Sequence, residues 1–375
     1  MEKRWLKEFP SLKGKQYLAN CSRGPQSQGV IRAFDRYFES WAERASPYNE
    51  WESELNESAS IFARLIGATR KEVAHSFSVS TAVDTLLSCF NYRSRKEIIT
   101  SEVDFPTISV IMLAQRYRAA RVKMIREKDG LVNISEMKRS VSEKTLLVNV
   151  PYVNSRTGIL QDTAELVELS HAKGAFVLAD AYQFVGTGKI DVKKEDIDFL
   201  VCGTLKYLLG TPGCAFLYVS KSAIESLNPT STGWLSQKIP SVFGPRHLNY
   251  RTDASRFETG TWAIPSVYAA TAGMKIVHNA GISSISNKLY KLNDYTMNLA
   301  DDYGLPLATP TRRTRSGPFV SILFRNPQRL QSHLSKSNIF VSARNDVLRI
   351  APHFFNDRED IDIAIGAINR AMRDR

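Results

Sequence analysis

Two short segments carry side chains whose types and spacing could do chemistry. Leu178-Ala179-Asp180-Ala181-Tyr182-Gln183 closes one expected strand, and Gly203-Thr204-Leu205-Lys206-Tyr207-Leu208-Leu209-Gly210 closes the next. A carboxylate at the end of one buried strand and an amine just past the following one can grip pyridoxal phosphate. The carboxylate then meets the ring nitrogen and the amine the aldehyde. Asp180 would keep that nitrogen protonated, so that the ring acts as an electron sink, while Lys206 would form a Schiff base and later shuttle protons. Either residue alone has a plainer reading, because an aspartate at a strand end caps a turn and a lysine after a strand faces water. The neighbours decide. Val177-Leu178-Ala179 and Phe199-Leu200-Val201-Cys202 are apolar runs of the kind found in parallel strands covered on both faces. Such sheets place ligands beyond their carboxyl ends, where both residues fall.

The elements that must position these groups follow from periodicity. Helices are expected near 27–44, 50–67 and 81–90, and strands near 97–101, 121–125, 145–150, 175–179, 197–201 and 214–219. Strands separated by helical stretches argue for an α/β fold with a mostly parallel sheet between helices. Beyond it, helices near 265–279 and 285–304 lead to strands near 318–324 and 347–351 and a closing helix from about 359. With 375 residues, the chain is too long for one compact core. The expected division is an N-terminal arm over 1–45 that contributes to a small domain, a large ligand-binding domain over 46–280, and a small α+β domain over 281–375.

Composition narrows the function classes. Hydrophobic residues make up 43% and charged residues 23%, as in an ordinary water-soluble globular protein. Met1-Glu2-Lys3-Arg4-Trp5 lacks the apolar run of a secretory signal, and no stretch reaches the ~18 continuous apolar residues of a membrane span, so a cytoplasmic protein is expected. Cys21, Cys89, Cys202 and Cys214 show neither metal-ligand nor disulfide-framework spacing, and no metal is expected. The net charge is +12, but the basic residues are scattered without interleaved aromatics. That argues against nucleic acid and for attraction of anionic ligands. The densest basic group, Arg312-Arg313-Thr314-Arg315, reads as a solvated loop.

These motifs, with Gln16-Tyr17-Leu18-Ala19-Asn20 and Gly24-Pro25 before them and Leu348-Arg349-Ile350-Ala351-Pro352-His353 with Asn356 after them, give the chain a family likeness. It resembles the class V aminotransferases among the fold-type I pyridoxal phosphate enzymes, a group that includes cysteine desulfurases, kynureninase, isopenicillin N epimerase-like proteins and C–S lyases. The resemblance implies an amino-acid substrate. It implies phosphate contacts from Ser80 and Thr81, which are also placed to cap a helix beginning at Ala82, and from Thr204. It also implies that Phe105 stacks on the pyridine ring, unless it is a plain core residue, and that Gln183 bonds the phenolic oxygen. Gly260-Thr261, by bare chemistry only a turn, resembles a loop that relatives extend to the phosphate of the other subunit, so a homodimer with shared active sites is implied. Arg349 sits where the family keeps the arginine for the substrate carboxylate, a planar fork suited to two parallel hydrogen bonds. Arg23 and Arg156 are second contacts that read a distal acid group or face water. In Tyr152-Val153-Asn154-Ser155-Arg156-Thr157-Gly158, either Asn154 or Ser155 touches substrate.

Two departures limit the resemblance. No cysteine follows Cys214, so the C-terminal nucleophile of cysteine desulfurases is missing. Leu205 and Phe105 replace two desulfurase histidines. The expected chemistry starts when an amino acid displaces Lys206 from the cofactor and the freed amine removes the α proton. Reprotonation at the cofactor gives transamination, which we rank first. Loss of a β substituent gives a C–S lyase acting on a cysteine-derived or sulfoxide substrate, and reprotonation at the α carbon gives epimerisation. A reading of another class, a non-catalytic scaffold or nucleic-acid-binding protein, is opposed by the joint presence of Asp180, Gln183, Lys206 and Arg349.

Overall fold

A computed structural model describes residues 5–241, 246–310 and 316–373; the basic group 312–315 lies outside the described residues. Seven strands form the main sheet: β1 (Val73–Ser76), β2 (Glu97–Ser101), β3 (Arg121–Ile125), β4 (Thr145–Pro151), β5 (Phe176–Asp180), β6 (Phe199–Gly203) and β7 (Ala215–Val219), in the spatial order β1-β7-β6-β5-β4-β2-β3. β7 runs antiparallel to both of its neighbours, and the remaining pairs are parallel.

The strands form where they do because alternate residues enter two different cores. Leu200 and Cys202 pack on one side of the sheet with helices Tyr48–Leu65 and Ile264–Ala280, while Phe199 and Val201 pack on the other with Val79–Leu87. Continuous apolar runs are what two covered faces require. After β3 the chain crosses back to place β4 on the other side of β2. The order of strands therefore reverses between β2 and β4, the point at which open α/β sheets hold ligands. β5 ends on Asp180, and the segments that follow β2, β4 and β6 carry Phe105, Asn154 and Lys206.

Downstream, Val320–Leu323, Val347–Ile350 and Ser342–Arg344 form an antiparallel sheet backed by helix Arg358–Arg373, with Ile322, Leu348, Ile350, Ile361 and Ile365 in its core. The N-terminal arm joins this sub-structure. Gln16–Tyr17 pairs with Ile339–Phe340, and Leu18 enters the same core.

At the sheet edge, a buried polar clamp fixes β1 to the segment that carries Gly260. His75 Nδ1 and its backbone N–H meet Glu258 Oε1 at 3.3 and 3.0 Å, and Trp262 Nε1 donates to Glu258 Oε2 at 2.8 Å. Ser58 completes it, 2.8 Å from His75 Nε2. Burial opposes ionisation of Glu258, but the hydrogen bonds and charge of His75 outweigh it and hold the carboxyl below the ordinary glutamate value. Removing one partner leaves the other buried and unpaired, so Glu258→Ala should cost about 3–5 kcal/mol at neutral pH. Because the folded value is depressed, that advantage is complete above the ordinary value of 4.5 and disappears as pH falls through the lower folded value. Urea unfolding of both proteins between pH 7 and 3 checks this: a gap that does not narrow in acid contradicts the clamp.

Candidate active site

Asp180 ends β5, and its Oδ1 accepts the backbone N–H of Tyr182 at 3.0 Å. Lys206 follows β6 on a loop held from both sides. Leu209 N donates to Lys206 O, Gly210 N to Thr204 O, and Gly24 of the arm donates to Leu205 O at 2.9 Å. Two glycines make this closeness feasible. A Cβ on Gly24 would stand 2.6 Å from Lys206 O, and one on Gly203 would stand 2.3 Å from the Tyr182 ring. The Lys206 ammonium lies 4.1 Å from the centre of the Tyr182 ring and 5.5 Å from that of Phe105. Asp180, Phe105, Tyr182, Ser78, Ser80 and Thr107 line one cavity.

The two central groups feel each other. Burial pushes the Asp180 carboxyl up, with the Tyr182 N–H and the Lys206 charge pulling the other way. Burial pushes the Lys206 amine down to about 8, against the pull of Asp180. The strand-end and post-strand positions expected from sequence thus meet in one cleft.

Other expected residues fall into place unevenly. Helix Val79–Leu87 begins three residues before the expected Ala82, and its cap is Ser78, whose Oγ accepts from Thr81 N at 3.0 Å. Ser80 and Thr81 therefore sit in the first turn, where N–H groups lack intrahelical partners, and the Ser80 hydroxyl pairs with Thr107 at 2.8 Å. Gln183 is buried. Its Nε2 donates to Cys21 O at 2.9 Å, and its Oε1 has no partner. Thr204 turns inward, completely buried, with its hydroxyl donating to Cys214 O at 3.0 Å, so it braces the lysine loop instead of facing the cleft. Gly260 lines the adjoining cavity with Thr81 and Phe77, while Thr261 is exposed.

Arg349 is only 1% exposed. It donates to Ser155 O, Ser22 Oγ and Ser342 Oγ, and its Nε is buried without a partner. Asn154 is committed elsewhere: its Oδ1 accepts Arg156 N and Thr157 N, and its Nδ2 donates to Gly130 O. Ser155, through its carbonyl, is the member of that pair joined to Arg349. Arg156 is partly exposed and makes a two-pronged pair with Asp346 at 2.8 and 2.6 Å. Arg23 is exposed.

Sequence reasoning missed Tyr182, Ser22, Ser342 and Arg344. Arg344 had a signal: Asn345-Asp346 is a two-residue hairpin turn, and Asn345 takes the positive φ such turns demand. His353, buried, is held neutral with its value lowered to about 4; its Nε2 meets Tyr207 O and its Nδ1 accepts Phe354 N. This histidine fastens the C-terminal segment to the lysine loop.

The family model described as aminotransferase class-V matches residues 16–363. The Bacillus subtilis protein described as uncharacterized aminotransferase YcbU is 33% identical over 360 residues, spanning 96% of this chain and 95% of its own. An apo cysteine desulfurase from Thermococcus onnurineus NA1 superposes with a TM-score of 0.89 at 20% identity, over 100% of this chain and 99% of the other. C-DES, described as a cystine C–S lyase, superposes at 0.88 and 16% identity, over 97% and 98%, as a lysine-to-alanine variant with glycine covalently linked to its PLP cofactor. The fold is that of the fold-type I pyridoxal phosphate enzymes. The chain belongs to the aminotransferase class-V family, and it is a PLP-dependent enzyme.

The residues present suit pyridoxal 5′-phosphate. Asp180, whose ionisation is opposed by burial, would gain a counter-charge from a protonated pyridine nitrogen, and the orphan Gln183 Oε1 marks polar capacity that the protein alone leaves unused. The first turn at Val79–Ser80 offers N–H donors to a phosphate. In cofactor-free protein, acylation of Lys206, read by peptide mass spectrometry, should titrate with a midpoint of about 8. Asp180→Asn should move that midpoint lower, because the lost negative charge had favoured the ammonium form. A midpoint at the ordinary 10.5 contradicts the geometry.

Proposed function

We propose that the protein is a transaminase acting at the α carbon of an amino acid, with Lys206 and Asp180 as its catalytic residues. The observation that carries the reading is the Lys206 amine, lowered by burial to about 8 and held between two aromatic rings within the field of Asp180. Pyridoxal phosphate supplies an electrophilic aldehyde and a ring able to stabilise negative charge at the substrate α carbon. Asp180 holds the proton on the ring nitrogen. Phe105 covers one face of the ring, and Ser80 with the first-turn N–H groups holds the phosphate. Gln183, through the amide hydrogen not given to Cys21, would bond the phenolic oxygen. Lys206, with a value near the working pH, takes the proton from the substrate α carbon and returns it. Arg349 receives the α-carboxylate through its unpartnered Nε, in a pocket whose shape Ser22, Ser342 and Ser155 fix. Thr204 and Arg156 act through the loops they brace.

The proposal extends to a homodimer in which Gly260-Thr261 completes the partner's phosphate site. Exposed Phe38, Trp41, Phe77 and Trp234 support it, as large apolar groups that a partner would cover. All four cysteines are free, in keeping with the cytoplasm, and among the described residues no helix is long and apolar enough to cross a membrane.

The test is a panel of amino acids incubated with purified holoprotein, with and without a keto acid. Transamination predicts a new amino acid only when the keto acid is present, and Lys206→Ala should lower that rate at least about 1,000-fold. Release of pyruvate and ammonia from a cysteine derivative without keto acid assigns β-elimination instead, and unchanged turnover in Lys206→Ala removes that lysine from the reaction.

A further inference from the structure

We propose that Arg344 reads a second carboxylate, so that the substrate class is an amino acid with an acidic side chain. This rests on the assignment of Arg349 to the α-carboxylate above.

The hairpin geometry places the two arginines together. Ser342 pairs with Arg349 and Arg344 pairs with Val347 across the Asn345-Asp346 turn. Cross-strand partners share a face and residues two apart in a strand share a face, so Arg344 and Arg349 lie on the same side of the hairpin. The Arg344 guanidinium stands 5.4 Å from the centre of the Phe105 ring, the ring that also packs against Lys206 and lines the cavity with Asp180.

Its electrostatic situation calls for an anion. No hydrogen bond or ion pair engages the Arg344 side chain among the described residues, and its Nε is buried without a partner. Burial, reinforced by the like charge of Arg349, opposes its positive form, with only the Cys21 thiol pulling the other way. The acid nearest in sequence, Asp346, is taken by Arg156. That pair pins the hairpin tip without neutralising Arg344. An unpaired, partly desolvated guanidinium beside a carboxylate-reading arginine is a site for a second carboxylate, which it can take through two parallel hydrogen bonds.

Calorimetry of the holoprotein with non-reacting acids tests this without relying on turnover. Glutarate should bind about 10- to 100-fold more tightly than butyrate, the span of one charge-assisted contact. Arg344→Gln should erase that preference and leave butyrate binding unchanged, and Arg344→Lys should keep part of it; thermal unfolding of each variant verifies that it folds. Equal affinity of the wild type for the two acids overturns the proposal. So does an Arg344→Gln variant that weakens both alike, which would put Arg344 on the α-carboxylate. Failure of the Arg349 assignment shows separately, as Arg349→Gln binding butyrate like the wild type.

Discussion

Burial pushes the Asp180 carboxyl and the Lys206 amine toward their neutral forms, and the attraction between them offsets part of that penalty. The rest of the architecture keeps this balance. A sheet covered on both faces dries the strand ends, and the reversal of strand order between β2 and β4 opens the crevice in which the two groups meet. Wetter surroundings would return the Lys206 amine toward its ordinary value of 10.5 and weaken the pull of Asp180 on a positive charge beside it.

The loops around the cleft are braced from elements far apart in sequence. The arm comes close enough for Gly24 N to reach Leu205 O because it has no side chain there. His353 reaches Tyr207 O from the C-terminal side, and Thr204 ties the lysine loop to Cys214. A lysine held by several backbone contacts keeps one geometry, which is what orientation-dependent chemistry needs.

Much of the sheet was legible in the sequence because strands buried on two faces are written as continuous apolar runs. β1 was not, since Val73-Ala74-His75-Ser76 carries two polar residues, and His75 is buried against Glu258, nearly two hundred residues away. Helix Pro106–Ala114 was hidden by its β-branched content, with Pro106 at its start the only cue. In the site, residues at strand ends could be read because position alone confers proximity. The arginines could not be ranked: whether a guanidinium is free depends on partners that only the fold brings together, which is why Arg156 proved to be paired and Arg344 unpaired. Asn154 and Thr204 show the same limit, polar side chains near the cleft that turn to backbone carbonyls and N–H groups instead.

The most direct measurement is borohydride reduction of the holoprotein followed by peptide mapping of the pyridoxyl group. The account predicts one labelled peptide, spanning β6 and the loop after it, with the group on Lys206. A label on another lysine, or a protein that takes up pyridoxal phosphate yet yields no labelled peptide, would contradict it.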